Sequence, residues 1–412
     1  MLNCKPTDLC ITGLGVTSSI GQGVGSFSAA LFAGRQKFTV MQRPGRQHGN
    51  VFIGAEIAEL SPPERVPAKI WRSSSLSGQV AMVTLEEAWQ DANLDRADPM
   101  QIGLVIGGSN LQQRDLVQLY ERYRDKVSFV PPSYGVSFLD SDLCGLCTQQ
   151  FGIQGFAYTV GGASASGQVS VIQAIQAVQS GQVDTCIAMG AMLDISYWEC
   201  QALQSLGAMG TERYAHDPAK ACRPFDQGRD GFIYGENCGV LVIERAETAA
   251  LRQAVQYAKI SGWAMSMDAN RNPNPSYEGE IRVIKEALKH AGLSAKDIDY
   301  INPHGTGSPV GDDVELRALR DCGLSHASIN ATKSLIGHGL SAAGTIELAA
   351  TVLQMRASRL HPTLNLIQPI DPLFNWVREK EASRRINHAI SLSMGFGGMN
   401  TAVCLQKIES AE

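Results

Sequence analysis

The chain repeats itself. Residues 85–108, "LEEAWQDANLDRADPMQIGLVIGG", read like residues 284–305, "IKEALKHAGLSAKDIDYINPHG", each as helix, polar loop and strand. A second echo pairs "SASGQVSVIQAIQAVQSGQ" from Ser164 with "SAAGTIELAATVLQMRASR" from Ser341, each opening Ser-Ala-small-Gly and continuing as an amphipathic helix. The two offsets, 199 and 177, differ by 22 residues, so the first half carries that much extra chain, which the pattern places in "NLQQRDLVQLYERYRDKVSFVPPSYG". A duplicated unit restricts the fold, because two copies of one apolar surface bury each other about a pseudo-twofold axis. The expected division is a first half over residues 1–245 and a second over 246–412. Equivalent loops then meet near the axis, and the loop ending at Ser164 faces the loop ending near His338.

Within each half, short apolar runs alternate with helical stretches: "DLCITGLG", "IGLVIGG", "DTCIAMGAM", "CGVLVIE", "DYINPHG", "AISLSMG" and "TAVCLQK". That alternation predicts an α/β protein with a largely parallel sheet. With 412 residues and 44% apolar composition there is ample material for a large core. Several functions are disfavoured. Net charge is −5, which leaves no basic footprint for nucleic acid. Apolar runs stay well short of the ~18 residues of a membrane span. The opening "MLNCKPTDLCITGLG" has no apolar core of a secretory signal, so a cytoplasmic protein is expected. Cys144 and Cys147 form a lone CxxC with no second pair and no His at metal spacing, so no metal site and reduced thiols are expected. Gly13-Leu14-Gly15 is followed by Ser18 where a dinucleotide fingerprint needs glycine.

Three small-residue loops carry the candidate chemistry. Ser164 follows the strand "FAYTV" and Gly161-Gly162 and opens a helix, where free N–H groups and the dipole favour negative charge. The same residue is equally well read as an N-cap, with the glycines serving close packing. The serine-hydrolase elbow is not met, because Ser166 stands at the second glycine position. "DYINPHGTGSPVGDDVE" puts His304 at a strand end, with Thr306, Asp312 and Glu315 beyond. "NATKSLIGHGLSAAG" supplies Lys333 and His338, and Glu347 lies one or two turns into the next helix as a partner for Lys333. Two histidines in Gly-rich loops facing one axis are suited to hold a carbonyl oxygen and its developing enolate charge. "SLSMGFGGMN" sets Phe396 and Gly397 in a glycine loop between two strands, a backbone amide and a gating ring or else a tight hairpin. "RPFDQGRDGFIYGENCG" reads as an ion-pair network bordering the site.

Together these stretches resemble the ketoacyl synthases, the condensing enzymes of fatty acid and polyketide assembly, over essentially the whole chain. "TGLGVTSSIG", "RPFDQGRDGF", "HGTGSPVGDDVE", "TKSLIGHGLSAAG" and "GFGGMN" carry the resemblance. It implies a thiolase-like five-layer α-β-α-β-α sandwich from two βαβαβαββ halves, usually homodimeric. It also implies His304 and His338 as active-site histidines, Lys333 as a positioning lysine and Phe396 as gatekeeper.

One position departs. The family's nucleophile is the cysteine of a Thr-Ala-Cys turn, and here that turn reads Gly162-Ala163-Ser164. Cys147 and Cys186, the nearest in sequence, cannot replace it. Capturing an acyl chain needs a thiolate or an activated hydroxyl, whereas decarboxylating a malonyl thioester needs only an electron sink. The chain therefore resembles the free-standing Cys-to-Ser decarboxylases of polyketide β-branching cassettes, which supply acetyl carrier protein to an HMG-synthase-like partner. The resemblance implies malonyl-loaded acyl carrier protein as substrate, its phosphopantetheine as the reaching arm, and no bound cofactor. Alternatives are an acyltransferase or condensing enzyme using Ser164 as nucleophile, and a non-catalytic partner like a chain-length factor. Lys69 and Arg72 are the carrier-docking candidates by position in the family.

Overall fold

The structure is a computed structural model describing residues 8–271 and 273–408. Residues 1–7, part of the segment read as carrying no secretory signal, lie outside the described residues. The first half runs β1 (Leu9–Ser18), α1 (Leu76–Asp91), β2 (Ile102–Gly107), α2 (Ser141–Phe151), β3 (Phe156–Val160), α3 (Ser166–Gln179), β4 (Thr185–Gly190) and β5 (Asn237–Arg245). The second runs β6 (Ala258–Met267), α4 (Tyr277–Ala291), β7 (Tyr300–Asn302), α5 (Pro309–Asp321), β8 (Ser328–Ile329), α6 (Ala343–Ala357), a short edge strand β9 (Asn375–Trp376), β10 (His388–Gly395) and β11 (Met399–Gln406).

The strands lie in the order β3-β2-β4-β5-β1-β6-β11-β10-β7-β8-β9 along one hydrogen-bonded path. Read outward from the β1–β6 junction, the two halves have the same order and the same directions. β1 and β5 are antiparallel, as are β6 and β11, and the outer pairs β2–β3 and β7–β8 are parallel. The expectation of a largely parallel sheet is thus corrected to a mixed one. The cause is local: β10 returns as β11 through a three-residue turn, Phe396-Gly397-Gly398, and so short a link permits only antiparallel pairing.

Helices α3 and α6 pack on each other and on strands of both halves, while α1 and α2 cover one outer face and α4 and α5 the other. These are the five layers. The central core joins Val171, Ile172 and Ile175 of α3 to Ile346, Leu348 and Val352 of α6, with strand residues from both halves. The expectation that these two helices are amphipathic holds for α3, whose Gln173, Gln176 and Gln179 form its less buried stripe, and is corrected for α6, which is buried on nearly every side. The extra chain of the first half lies between β2 and α2, where it forms the helix Gln113–Tyr123 and two short turns; in the second half β7 leads almost directly into α5.

The glycines at the crossing of α3 and α6 are there for closeness. A Cβ on Gly167 would lie 2.9 Å from the Ser341 carbonyl oxygen and the Thr345 nitrogen, and one on Gly344 would lie 2.6 Å from the Gln168 nitrogen. These neighbours are backbone atoms, which cannot swing aside. Gly344→Ala is therefore expected to cost about 1–3 kcal/mol by forcing the helices apart. Urea denaturation measures it, and an unchanged midpoint would contradict the packing account.

Candidate active site

Ser164 stands where α3 begins, in a tight turn over Ala163–Ala165. Ala163 is held at φ 47°, and its counterpart Leu340, before Ser341, at φ 50°, so both copies of the turn hold one residue in the left-handed region. The N-cap reading of Ser164 is corrected, because its hydroxyl caps neither this turn nor α3. Ser166 secures the loop instead: its Oγ accepts from the Gly162 N–H at 2.9 Å and donates to the Ala163 carbonyl at 2.7 Å. Relieved of that work, Ser164 Oγ faces His338 Nε2 at 2.9 Å. From the other side β10 closes in, with Ser393 Oγ donating to the Ser164 carbonyl at 3.1 Å and Gly395 too near the Gly162 carbonyl to carry a side chain.

Each histidine is fixed by backbone. The N–H groups of His304 and Gly305 donate to Glu315 of α5 at 2.6 and 2.8 Å. His338 donates its N–H to the Ile233 carbonyl at 2.7 Å and accepts from Gly235 at 3.1 Å. The two imidazoles meet edge to face with centroids 5.5 Å apart, and Phe232 packs edge-on against His338 at 5.0 Å. Burial, with the Lys333 charge beside both rings, holds both well below the ordinary histidine range, so both are neutral at physiological pH. Lys333 is buried and donates to the His304 carbonyl and to Glu347 Oε1, each at 2.5 Å. Burial raises the Glu347 carboxyl to about 7 against the opposing pull of Lys333. Lys333 therefore orders the His304 loop through its backbone.

These groups open onto a channel lined by Ser164, His304, His338, Thr306, Phe232 and Phe396, among others. Phe396 also borders a second, more apolar cavity with Leu193, Ile195 and Leu203, so its ring, 42% exposed, divides the two. Gly397 and Gly398 both have left-handed φ, 89° and 88°, which glycine alone adopts freely and which the turn requires. Gly397 and Gly162 shape the site without lining the channel; a side chain on Gly162 would press on Val169. The ion pairs read from residues 223–239 are present. Arg223 binds Asp226 at 2.8 Å, and Asp312 takes the Phe225 N–H at 2.6 Å. Lys69 and Arg72 are exposed on the short helix Ala68–Ser73, outside the channel lining. Sequence reasoning missed Asp268 in the channel wall and Leu193 and Leu203 in the cavity, none of which stands in a distinctive pattern, and it passed over Met394, which lies within the glycine loop it singled out. Among the described cysteines, Cys222 lies against this site, but its thiol donates to the Lys333 carbonyl and burial pushes it up to about 12, so it offers no thiolate.

Comparison with known proteins agrees with this fold. Residues 7–249 match the beta-ketoacyl synthase N-terminal domain and residues 257–367 the C-terminal domain. The chain is 62% identical over 409 residues, 99% of both chains, to the polyketide biosynthesis malonyl-ACP decarboxylase PksF of Bacillus subtilis (strain 168). It is 30% identical to a 3-oxoacyl-[acyl-carrier-protein] synthase 2 of Coxiella burnetii, across 97% of this chain and 98% of that one. The fold superposes on a ketosynthase/chain length factor of ishigamide biosynthesis with a TM-score of 0.88 at 26% identity, covering 98% of this chain and all of that one. A beta-ketoacyl synthase from Burkholderia phymatum STM815 superposes with a TM-score of 0.87 at 25% identity and the same coverage. The chain belongs to the beta-ketoacyl synthase family.

Proposed function

We propose that this protein decarboxylates malonyl-acyl carrier protein to acetyl-acyl carrier protein in polyketide biosynthesis and performs no condensation. The relative named as a malonyl-ACP decarboxylase, matched end to end, supports the reaction. The observation that carries the mechanism is the placement of two neutral imidazoles beside a hydroxyl in place of a thiol. The phosphopantetheine arm of the carrier enters the channel, and the thioester oxygen lies on the ring N–H groups of His304 and His338. As CO2 departs, the electron pair moves onto that oxygen, which the two donors stabilise. With no acyl group on residue 164 the enolate meets no carbon electrophile and takes a proton. The site needs no cofactor of its own.

The contact between Ser164 and His338 also has the geometry of a nucleophile and its base, which favours the acyltransferase reading. A base must itself be oriented and its cation stabilised, normally through the other ring nitrogen. Among the described residues nothing hydrogen-bonds His338 Nδ1, and the ring resists protonation. A donor fits this imidazole better than a base. Both histidines are present, which speaks against a non-catalytic partner subunit.

The wider setting is part of the proposal. The acetyl product serves an HMG-synthase-like partner in β-branching. The protein is a cytoplasmic homodimer, a reading supported by the nine described cysteines, all free, by the open edge of β3, and by the exposed apolar side chains of Phe129 (72%) and Tyr120 (71%). Sedimentation as a single 44.3 kDa chain would refute the dimer. Among the described residues no helix is long and apolar enough to cross a membrane.

Two outcomes test the mechanism. Removing either ring, in His304→Ala or His338→Ala, is expected to lower kcat for acetyl formation by about 10²–10³-fold, the effect of one oxyanion donor. Because the rings stay neutral below the ordinary value of about 6.5, the wild-type kcat should show no inflection there. A drop in kcat centred at that pH would show a histidine titrating normally. For docking, the double variant Lys69→Glu and Arg72→Glu is expected to raise KM for the carrier protein roughly tenfold with kcat unchanged, and an unchanged KM discards those two residues.

A further inference from the structure

We infer that Ser164 is the acid that delivers the proton to the α-carbon of the enolate, which makes it a catalytic residue and not a filler of the nucleophile's place. The inference rests on the decarboxylase reading and concerns the step after CO2 leaves.

The argument is one of supply. Each imidazole is neutral and so has a single ring N–H. If both hydrogens hold the thioester oxygen, neither can go to carbon without releasing the charge it stabilises. The ionisable groups beside them are committed elsewhere. Lys333 is buried against Glu347 and the His304 carbonyl. Asp268 accepts from Asn400 Nδ2 at 2.8 Å. Thr306 and Ser308 keep their hydroxyl hydrogens while accepting from N–H groups at the start of α5, at 3.2 and 3.3 Å, but among the described residues neither is hydrogen-bonded to an imidazole, as Ser164 is.

Ser164 is different. Its hydroxyl neither caps the helix nor ties the loop, since Ser166 does the tying. For His338 we assign the hydrogen to Nε2, because placing it on Nδ1 would bury a donor with no partner. Before substrate binds, Nε2–H donates to Ser164 Oγ; once the thioester oxygen takes that hydrogen, the protonated Nε2 still offers the serine no acceptor, so the serine's own hydrogen is free to point into the channel. A malonyl group held by the two rings sets its α-carbon beside that hydrogen.

The step balances as follows. The bond between the α-carbon and the carboxylate breaks and CO2 leaves, while the bonding pair remains as the enolate. The Ser164 O–H bond breaks as the new C–H bond forms, and the thioester carbonyl returns. A water molecule from the channel reprotonates Oγ in the same step, and its hydroxide leaves with the CO2 as bicarbonate. The transfer is downhill, because an enolate carbon is a much stronger base than an alkoxide.

The test uses Ser164→Ala in the full chain, with folding checked by its melting transition. Wild type and variant receive malonyl carrier protein in the presence of ¹³C-labelled CO2, and the label is read in the remaining malonyl groups. In wild type, fast protonation makes decarboxylation irreversible and no label enters. In the variant, acetyl formation is expected to fall about 100-fold, the contribution of a general acid. The waiting enolate then recaptures CO2, so label appears in malonyl carrier protein. A merely structural role for Ser164 would slow the reaction without opening that exchange. Acetyl formation at the wild-type rate, or slow formation with no label returned, overturns the proposal. Failure of the wild type to release CO2 at all would instead overturn the decarboxylase reading.

Discussion

The site depends on how closely two helices can pass. Helices α3 and α6 are copies of one another, and they cross at Gly167 and Gly344 with backbone against backbone. That approach brings the turn before α3 against the loop before α6, so a hydroxyl from one copy meets an imidazole from the other at 2.9 Å. A side chain at either glycine would widen the gap and separate the reacting groups before it touched any of them. Part of the small-residue density ahead of α3 is thus a packing requirement. The rest leaves space for a ligand.

Burial then sets the chemistry. Bulk water would solvate a departing carboxylate and an enolate alike, whereas a buried pocket with two fixed neutral donors favours the state in which charge has moved onto oxygen. Neutral rings are maintained by desolvation and by the Lys333 ammonium, a cation that would repel a second positive charge nearby. The lysine therefore acts twice, fixing the His304 backbone and keeping both rings in the donor state. Glu347 compensates it from α6, which links the central helix to the ring geometry.

Much of this was legible in the chain. Strands β2, β4, β5 and β11 are continuous apolar runs because both their faces are covered, and the repeat located the axis on which the loops meet. Strand β6 was not seen: it alternates buried and half-buried residues, so "AKISGWAMSM" presents no such run. β8 and β9 have two residues each, too few for any period. The helix pattern misled in the opposite direction, because α6 is enclosed on nearly all sides and its sequence records that enclosure in place of a stripe. At the site, residue types announced His304, His338 and Lys333. The division of labour between Ser164 and Ser166 could not be read, since either serine satisfies the statistics of a helix start and only the turn at Ala163 decides which hydroxyl looks inward.

The chemistry expected of condensing relatives is lost at the head of α3, where the turn reads Gly162-Ala163-Ser164 in place of Thr-Ala-Cys and the thiol gives way to a hydroxyl. A thiol there is acidic enough to attack and hold an acyl chain, whereas a hydroxyl whose imidazole neighbour lacks an orienting partner is not. Intact-protein mass spectrometry after incubation with both malonyl and long-chain acyl carrier proteins addresses this most directly. The account predicts that the enzyme's mass stays unchanged while malonyl carrier protein becomes acetyl carrier protein. A stable acyl group on Ser164, with a lengthened chain on the carrier, would contradict it.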